Sequence, residues 1–255
     1  MSNKAKTIIW PLIFGIGFLL VWEFGFLHQL LDLKHFQLPV PSQIGITLYN
    51  NLSKALSDAV VTISGALIGM ALGSFLGFMI AVIATCFPKW GYGGMILVTA
   101  LNAIPIVALS PIMNLWFSTG MIQKIGVVTV VCMAAMAINA YSGLNNLKPY
   151  SVDLMHSVAA DHWTIFKKLR LPNCLPNVFT AFKINVAGSI IAAIISEYFA
   201  SSTAGLGFGI KDHLRKAEMA MGWSYIVVAS LAGVLIYLII LLVERDAIKW
   251  HASQR

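Results

Sequence analysis

"DLMHSVAADHWTIFKKLRLP", residues 153–172, interrupts an oily chain with the cations Lys167, Lys168 and Arg170, the aromatics Trp163 and Phe166, and a closing proline. Pro149 ends the element before it, and Ser151 with Asp153 can open a short helix. Asp161 is the natural cap of a second helix through "HWTIFKKL" (162–169). There Trp163, Phe166, Lys167 and Arg170 are spaced three and four apart, which sets apolar and cationic contacts on neighbouring faces. Leu171 is expected to leave the helical region because Pro172 follows it. Pro176 is then expected to start the next span, at a position that needs no amide donor. A short amphipathic helix pair of this kind either lies on lipid headgroups or inserts into a cleft of a cytoplasmic protein. The spacing alone leaves both open.

The surroundings of this block are those of a membrane protein. Of 255 residues, 58% are hydrophobic and only 11% charged, where soluble domains carry about a quarter. The net charge of +7 comes without a basic, aromatic-interleaved patch, so nucleic acid is not an expected partner. Positive charge on the cytoplasmic side of a bilayer explains it instead. Cys86, Cys132 and Cys174 stand apart, with no paired spacing for a metal or a disulfide framework, and are expected to be structural.

Six apolar stretches of about 20 residues follow one another, near 7–27, 60–87, 91–117, 122–142, 177–200 and 222–243. All must be helical, since a lone strand leaves its backbone unsatisfied in lipid. The first is too long for a signal-peptide core and is expected to stay as a span. The third holds Pro105 and Pro111 and is expected to be kinked or split. With the N-terminus inside, the inner side holds Lys4, Lys6, Lys89, Lys148, Lys167, Lys168, Arg170, Arg245, Lys249 and Arg255. The outer side holds Lys34, Lys54, Lys124, Lys211, Arg215 and Lys216, leaving Lys183 aside. Ten against six favours both termini inside. On the outer side, "LPVPSQ" (38–43) stops the chain, and Ser42 is expected to cap a surface helix running to about Ser57. The expected organisation is one membrane domain over residues 1–255, its core at about 60–243 and a cytoplasmic loop at 143–176.

Within the spans a few residues stand out. In "SGALIGMALGSFLG" (64–77), Gly65, Gly69, Gly73 and Gly77 recur every four residues and present a face that another helix can approach closely. Gly91 is expected to be exposed by comparison. Glu23 is expected at the outer interface beside Trp22. Glu197, close to the outer end of the fifth span beside Ser196, is an interfacial anchor, a cap partner or part of a pathway or gate. The cluster Lys211–Lys216 is its expected cation. Asn102, Asn114, Asn139 and Asn185 are buried-amide candidates, and Asn102, Asn185, Ser196 and Glu197 form the candidate pathway or gate. No nucleophile elbow, Walker A loop, zinc signature or dinucleotide fingerprint occurs, so any ATP must be bound by another subunit.

Residues 153–172 resemble the EAA loop of ABC transporter permeases, which runs Glu-Ala-Ala, three residues, Gly, nine residues, an apolar residue, any residue, then Leu-Pro. Asp153 stands where the Glu would be, Ala159 replaces the Gly, and Leu169, Leu171 and Pro172 complete the end. "LPVPSQIGITL" (38–48), "LNAIPIVALSPIMNLWFSTG" (101–120) and "SEYFASSTAGLGFGI" (196–210) are similar to permeases of the nitrate, sulfonate, taurine and thiamine-precursor importer group. That group often has a second proline where Ile106 stands. The resemblance implies an all-α type I importer permease in a bacterial inner membrane, carrying a small polar or anionic solute. Its implied partners are cytoplasmic ATPase subunits, an extracytoplasmic solute-binding protein and a second permease copy, identical or homologous. It implies no cofactor on this chain, with ATP and Mg on the ATPase. Asp153, Ala159, Trp163, Phe166, Lys167, Arg170, Leu171 and Pro172 are then the coupling loop. A secondary transporter or channel would show inverted repeats and midplane charges, and a membrane enzyme paired carboxylates or a nucleophile. Neither pattern is evident.

Overall fold

The computed structural model describes residues 3–118, 120–200 and 202–249, and these are helical almost throughout. Helix α1 (Asn3–Glu23) is followed by the short α2 (Phe26–Leu31) and by α3 (Pro41–Asn50). The membrane bundle is built from α4 (Leu52–Cys86), α5 (Pro88–Leu101), α6 (Ile106–Phe117), α7 (Met121–Asn145), α10 (Leu171–Phe199) and α12 (Met219–Ala247). Two short helices, α8 (Ser151–Ser157) and α9 (His162–Ile165), lie between α7 and α10, and α11 (Leu206–Arg215) precedes α12.

Among the described residues, four helical segments are long and apolar enough to cross a bilayer: α4, α7, α12 and the continuous run His162–Phe199. The pair α5 and α6, bent by 101°, is apolar enough for a fifth, broken span or a re-entrant loop. The bend falls where Pro105 cannot donate to the ladder, and Pro111 sits inside α6. The sixth stretch, the first along the chain, ends earlier than expected. Gly25, in the left-handed region at φ 79°, follows the end of α1, so that helix stops at Glu23 and not near Leu27, and its 21 residues run about 31 Å.

Helix α7 is the centre of the bundle, packed along both α4 and α10. Its buried side is small and aliphatic, with Val127, Val128, Ala134, Ala137 and Ala140 fully enclosed. Helix α12 is the opposite case, a highly apolar span that keeps most of its surface outside the bundle.

Four local expectations fail for definite reasons. Ser42 does not cap α3, because Pro41 already starts that helix. Its hydroxyl and amide donate instead to Glu23, at 2.6 and 3.0 Å. The surface helix ends at Asn50, and α4 begins at Leu52 rather than near 60. Leu171 stays helical, at φ −63° and ψ −47°. The turn Phe166–Arg170 is a π-helix, so the ladder already steps to Phe166 where Pro172 lacks a donor. Pro176 therefore lies inside α10 and does not start it.

Candidate functional site

At the end of the bundle where α7 stops and α10 starts, the loop builds an apolar surface facing outward. Tyr150, Leu154, Val158 and Trp163 are all exposed, Trp163 to 67%. Trp163 stacks on Phe166, ring centroids 5.9 Å apart and 17° from parallel. Phe166 is half-buried and packs on the cluster of Ala81, Met136, Leu144 and Cys174. Beside the stacked pair is a cleft of about 390 Å³ lined by Thr85, Cys86, His162, Trp163, Phe166 and Arg170. Asp153 lies exposed in the first turn of α8, and Lys167 and Lys168 are exposed on the π turn.

Two backbone details shape this surface. The turn between α8 and α9 places Ala159 at φ 55°, a left-handed conformation that a residue with a Cβ resists. Asp161 caps α9, accepting from the Thr164 amide at 3.3 Å, and this bond holds its carboxyl below the ordinary carboxylate range. Arg170 does not face outward with the two lysines. Its Nη1 donates to Leu144 O and Asn145 Oδ1, both at 3.0 Å, within the chain.

The opposite end is organised around buried charge. Lys124 on α7 and Glu197 on α10 pair at 2.5 Å, with side chains only 3% and 1% exposed. Thr62 on α4 donates to both Glu197 oxygens at 2.9 Å, and the Gly207 amide donates to Oε2 at 2.8 Å. Lys124 Nζ also donates to Val61 O at 2.8 Å. A second buried carboxylate, Asp58, accepts from Tyr225 Oη at 2.8 Å and from the Gly205 amide at 3.2 Å. Thr62 in turn accepts from the Leu206 amide at 2.8 Å. Two carboxylates and a hydroxyl thus hold three consecutive amides of the connection into α11. Gly205, at φ 108°, lies so close to the Glu197 carboxylate that a side chain there would collide with it.

Glu197 therefore has its cation on α7 and not in the segment Lys211–Lys216, where Lys216 pairs with Asp212 at 2.6 Å. Lys124 is a buried helix residue, so removing it from the outer count leaves five. Arg255 lies outside the described residues, as do Ser201 and the side chains of Lys4 and Lys6. Sequence reasoning missed Lys124, Thr62, Asp58 and Tyr225. The available signal was Lys124 itself, two positions inside the expected span 122–142, where a cation demands a partner.

The remaining candidates divide. Asn185 is buried and donates to Ser74 Oγ at 3.1 Å and Cys132 O at 3.0 Å, joining α10 to α4 and α7 and leaving no donor for a solute. Ser196 is buried, its carbonyl accepting from Ser110 Oγ at 3.3 Å. Asn102 is exposed at the end of α5, beside the bend, and Asn139 bonds within its own helix. Gly65, Gly69, Gly73 and Gly77 all lie against α7, where added Cβ atoms would strike Lys124, Val128, the carbonyl of Thr129 and that of Met133. Gly91 is buried, not exposed: its Cβ would strike the Ala84 backbone.

Residues 69–248 match the family model described as binding-protein-dependent transport system inner membrane component. The chain belongs to that family. Among curated relatives, the formylaminopyrimidine transport permease ThiX of Halalkalibacterium halodurans is 25% identical, covering 99% of this chain and 100% of its own length. The taurine transport system permease TauC of Escherichia coli is 22% identical, covering 81% of this chain and 72% of its own. A chain of the MetNI methionine ABC transporter shares the fold with a TM-score of 0.66 at 17% identity, over 75% of this chain and 95% of that one. A chain of an amino acid ABC transporter does so at 0.64 and 14% identity, over 79% and 97%. The protein is a multi-pass membrane permease subunit of an ABC importer.

Proposed function

We propose that this permease takes its driving force from separate cytoplasmic ATPase subunits that dock on the α8–α9 surface. ATP and Mg are bound there and not on this chain. The observation that carries the reading is the exposure of the large apolar side chains Tyr150, Leu154, Val158 and Trp163 in a loop that also exposes Lys148, Lys167 and Lys168. Exposed apolar side chains flanked by cations suit a cleft with an apolar floor and an acidic edge. Within the coupling loop, Asp153, Trp163 and Lys167 face this partner, while Ala159, Phe166, Arg170, Leu171 and Pro172 shape and seat the loop. Both termini then lie in the cytoplasm of a bacterium, with the loop end of the bundle at the inner face of the inner membrane.

The opposite end, with Glu197 at its outer gate, meets a solute-binding protein that delivers a small polar or anionic solute. A second permease copy completes the path. The docking reading is tested with Trp163→Ala. Burying a large side chain contributes roughly 1.5–3 kcal/mol, so at least about a tenfold loss of affinity for the ATPase is expected while membrane insertion stays intact. Unchanged ATPase affinity would remove Trp163 from the interface and this reading with it.

A further inference from the structure

The last carbonyls of α7 have no partners within their own helix. They are taken up from the start of α10. Asn173 Nδ2 donates to Gly143 O at 2.8 Å and to Asn146 O at 3.1 Å, and Arg170 donates to Leu144 O and Asn145 Oδ1. The helices are in close contact here, since a Cβ on Gly143 would press on the Asn177 side chain and the Cys174 backbone. At the other end the same two helices are joined by Lys124 and Glu197. Lys124 and Leu144 are twenty positions apart, about 30 Å along the axis. Between them, Asn185 on α10 donates to Cys132 O on α7. The pair is tied at both ends and in the middle.

Two further connections give this tie a direction. Helix α9 runs through the π turn into α10 without a loop, so a displacement of the docking surface is not absorbed before it reaches the span. At the far end, Glu197 holds the Gly207 amide, and with it the segment 202–207 that leads into α11.

We propose that Asn173 and Arg170 are transmission residues: by pinning the end of α7 to the π turn they make α7 and α10 one lever, which carries a displacement of the docked loop to the 202–207 segment. The inference rests on the docking reading above. Without the pins, the π turn is the weak point of the ladder, and α9 would pivot there while α7 stayed behind.

The test uses the whole transporter, permease with its ATPase and binding protein, in lipid nanodiscs. Thr203, exposed in the segment, becomes a reporter as Thr203→Cys in a Cys86→Ser background, since Cys132 and Cys174 are buried. Its labelling by a charged maleimide is compared between the nucleotide-free and ATP–vanadate states. The parent should show rates differing at least tenfold between the two states. Asn173→Leu should bring the rates within twofold of each other while the ATPase co-purifies at parental stoichiometry. Arg170→Lys, which keeps the charge but reaches only one acceptor, should fall between. Asn173→Ser, small and tolerated at a helix start, serves if the leucine variant does not fold. A parental rate ratio in the Asn173 variants would overturn the proposal, and so would a parent whose 202–207 segment does not respond. Loss of the ATPase from Asn173→Leu would move the residue into the docking surface and overturn it as well. Retention of the ATPase by Trp163→Ala strikes only the docking reading.

Discussion

The two ends of this permease place their side chains in opposite ways. At the loop end the apolar residues Tyr150, Leu154, Val158 and Trp163 face outward and the structure is held by backbone capping. At the far end the charges Lys124, Glu197 and Asp58 are inside, each with several hydrogen-bond partners. The first arrangement is incomplete without another protein. The second is complete in itself and strongly resists being opened one bond at a time. A surface made to bind and a closure made to hold need opposite distributions of the same residue types.

The largest effect is expected at the buried pair. Lys124→Met leaves Glu197 enclosed without its cation and should cost about 3–5 kcal/mol, read as a large drop in the apparent unfolding midpoint of purified protein. Replacing both partners with apolar residues should recover most of the loss. The contrasting pair is Lys183 with Glu244, at 2.8 Å with side chains 25% and 10% exposed, where Lys183→Met should cost less than Lys124→Met. Equal costs at the two pairs would mean that burial does not set their strength.

Next in size is the seam that supports both ends. Gly73→Leu drives a side chain into the Thr129 carbonyl and should cost at least about 1–3 kcal/mol. Gly93→Leu, on an open face of α5, should change the midpoint little. Gly91→Leu should behave like the seam, because Ala84 lies against it. A harmless Gly73→Leu would place the α4–α7 contact elsewhere.

Smaller effects are expected in the loop. Ala159→Gly relieves a left-handed residue and should stabilise the turn by up to about 1 kcal/mol, seen as slower amide exchange over 156–164. Faster exchange there would count against strain at this position. The smallest effect is the pH response of the α9 cap. The Asp161 carboxyl titrates below its ordinary value in the folded loop, so its contribution is present above about pH 4 and fades as pH falls through the folded value. Protection of the Thr164 amide should follow that curve and become pH-independent over this range in Asp161→Asn. A protection that rises on acidification would reverse the sign and exclude the cap.

Much of this architecture is legible in the chain. Too few charges to cover a soluble surface require a membrane, and twenty-residue apolar runs require helices. The four-residue glycine repeat marks a close-packed face, and Pro105 marks a break. Asp161, as a cap, and the spacing from Asp153 to Pro172 are local features, decided by residues a few positions apart. Local rules also misled at Leu171, where the residue-before-proline preference yields to a π turn, and at Gly25, which cuts the first apolar run short.

What the chain could not disclose is which distant groups meet. Glu197 required a counter-charge from the moment its span was recognised, since an unpaired carboxylate in lipid is too costly to persist. Composition and spacing offered Lys211–Lys216, its neighbours in sequence. Only the packing of α7 between α4 and α10 brought Lys124 to it from 73 positions away, and turned Arg170 from the surface to the end of α7. Helical periodicity is a short-range property and is written in the sequence. The pairing of buried polar groups depends on how helices approach and rotate against one another, and that is settled only when the whole bundle has packed.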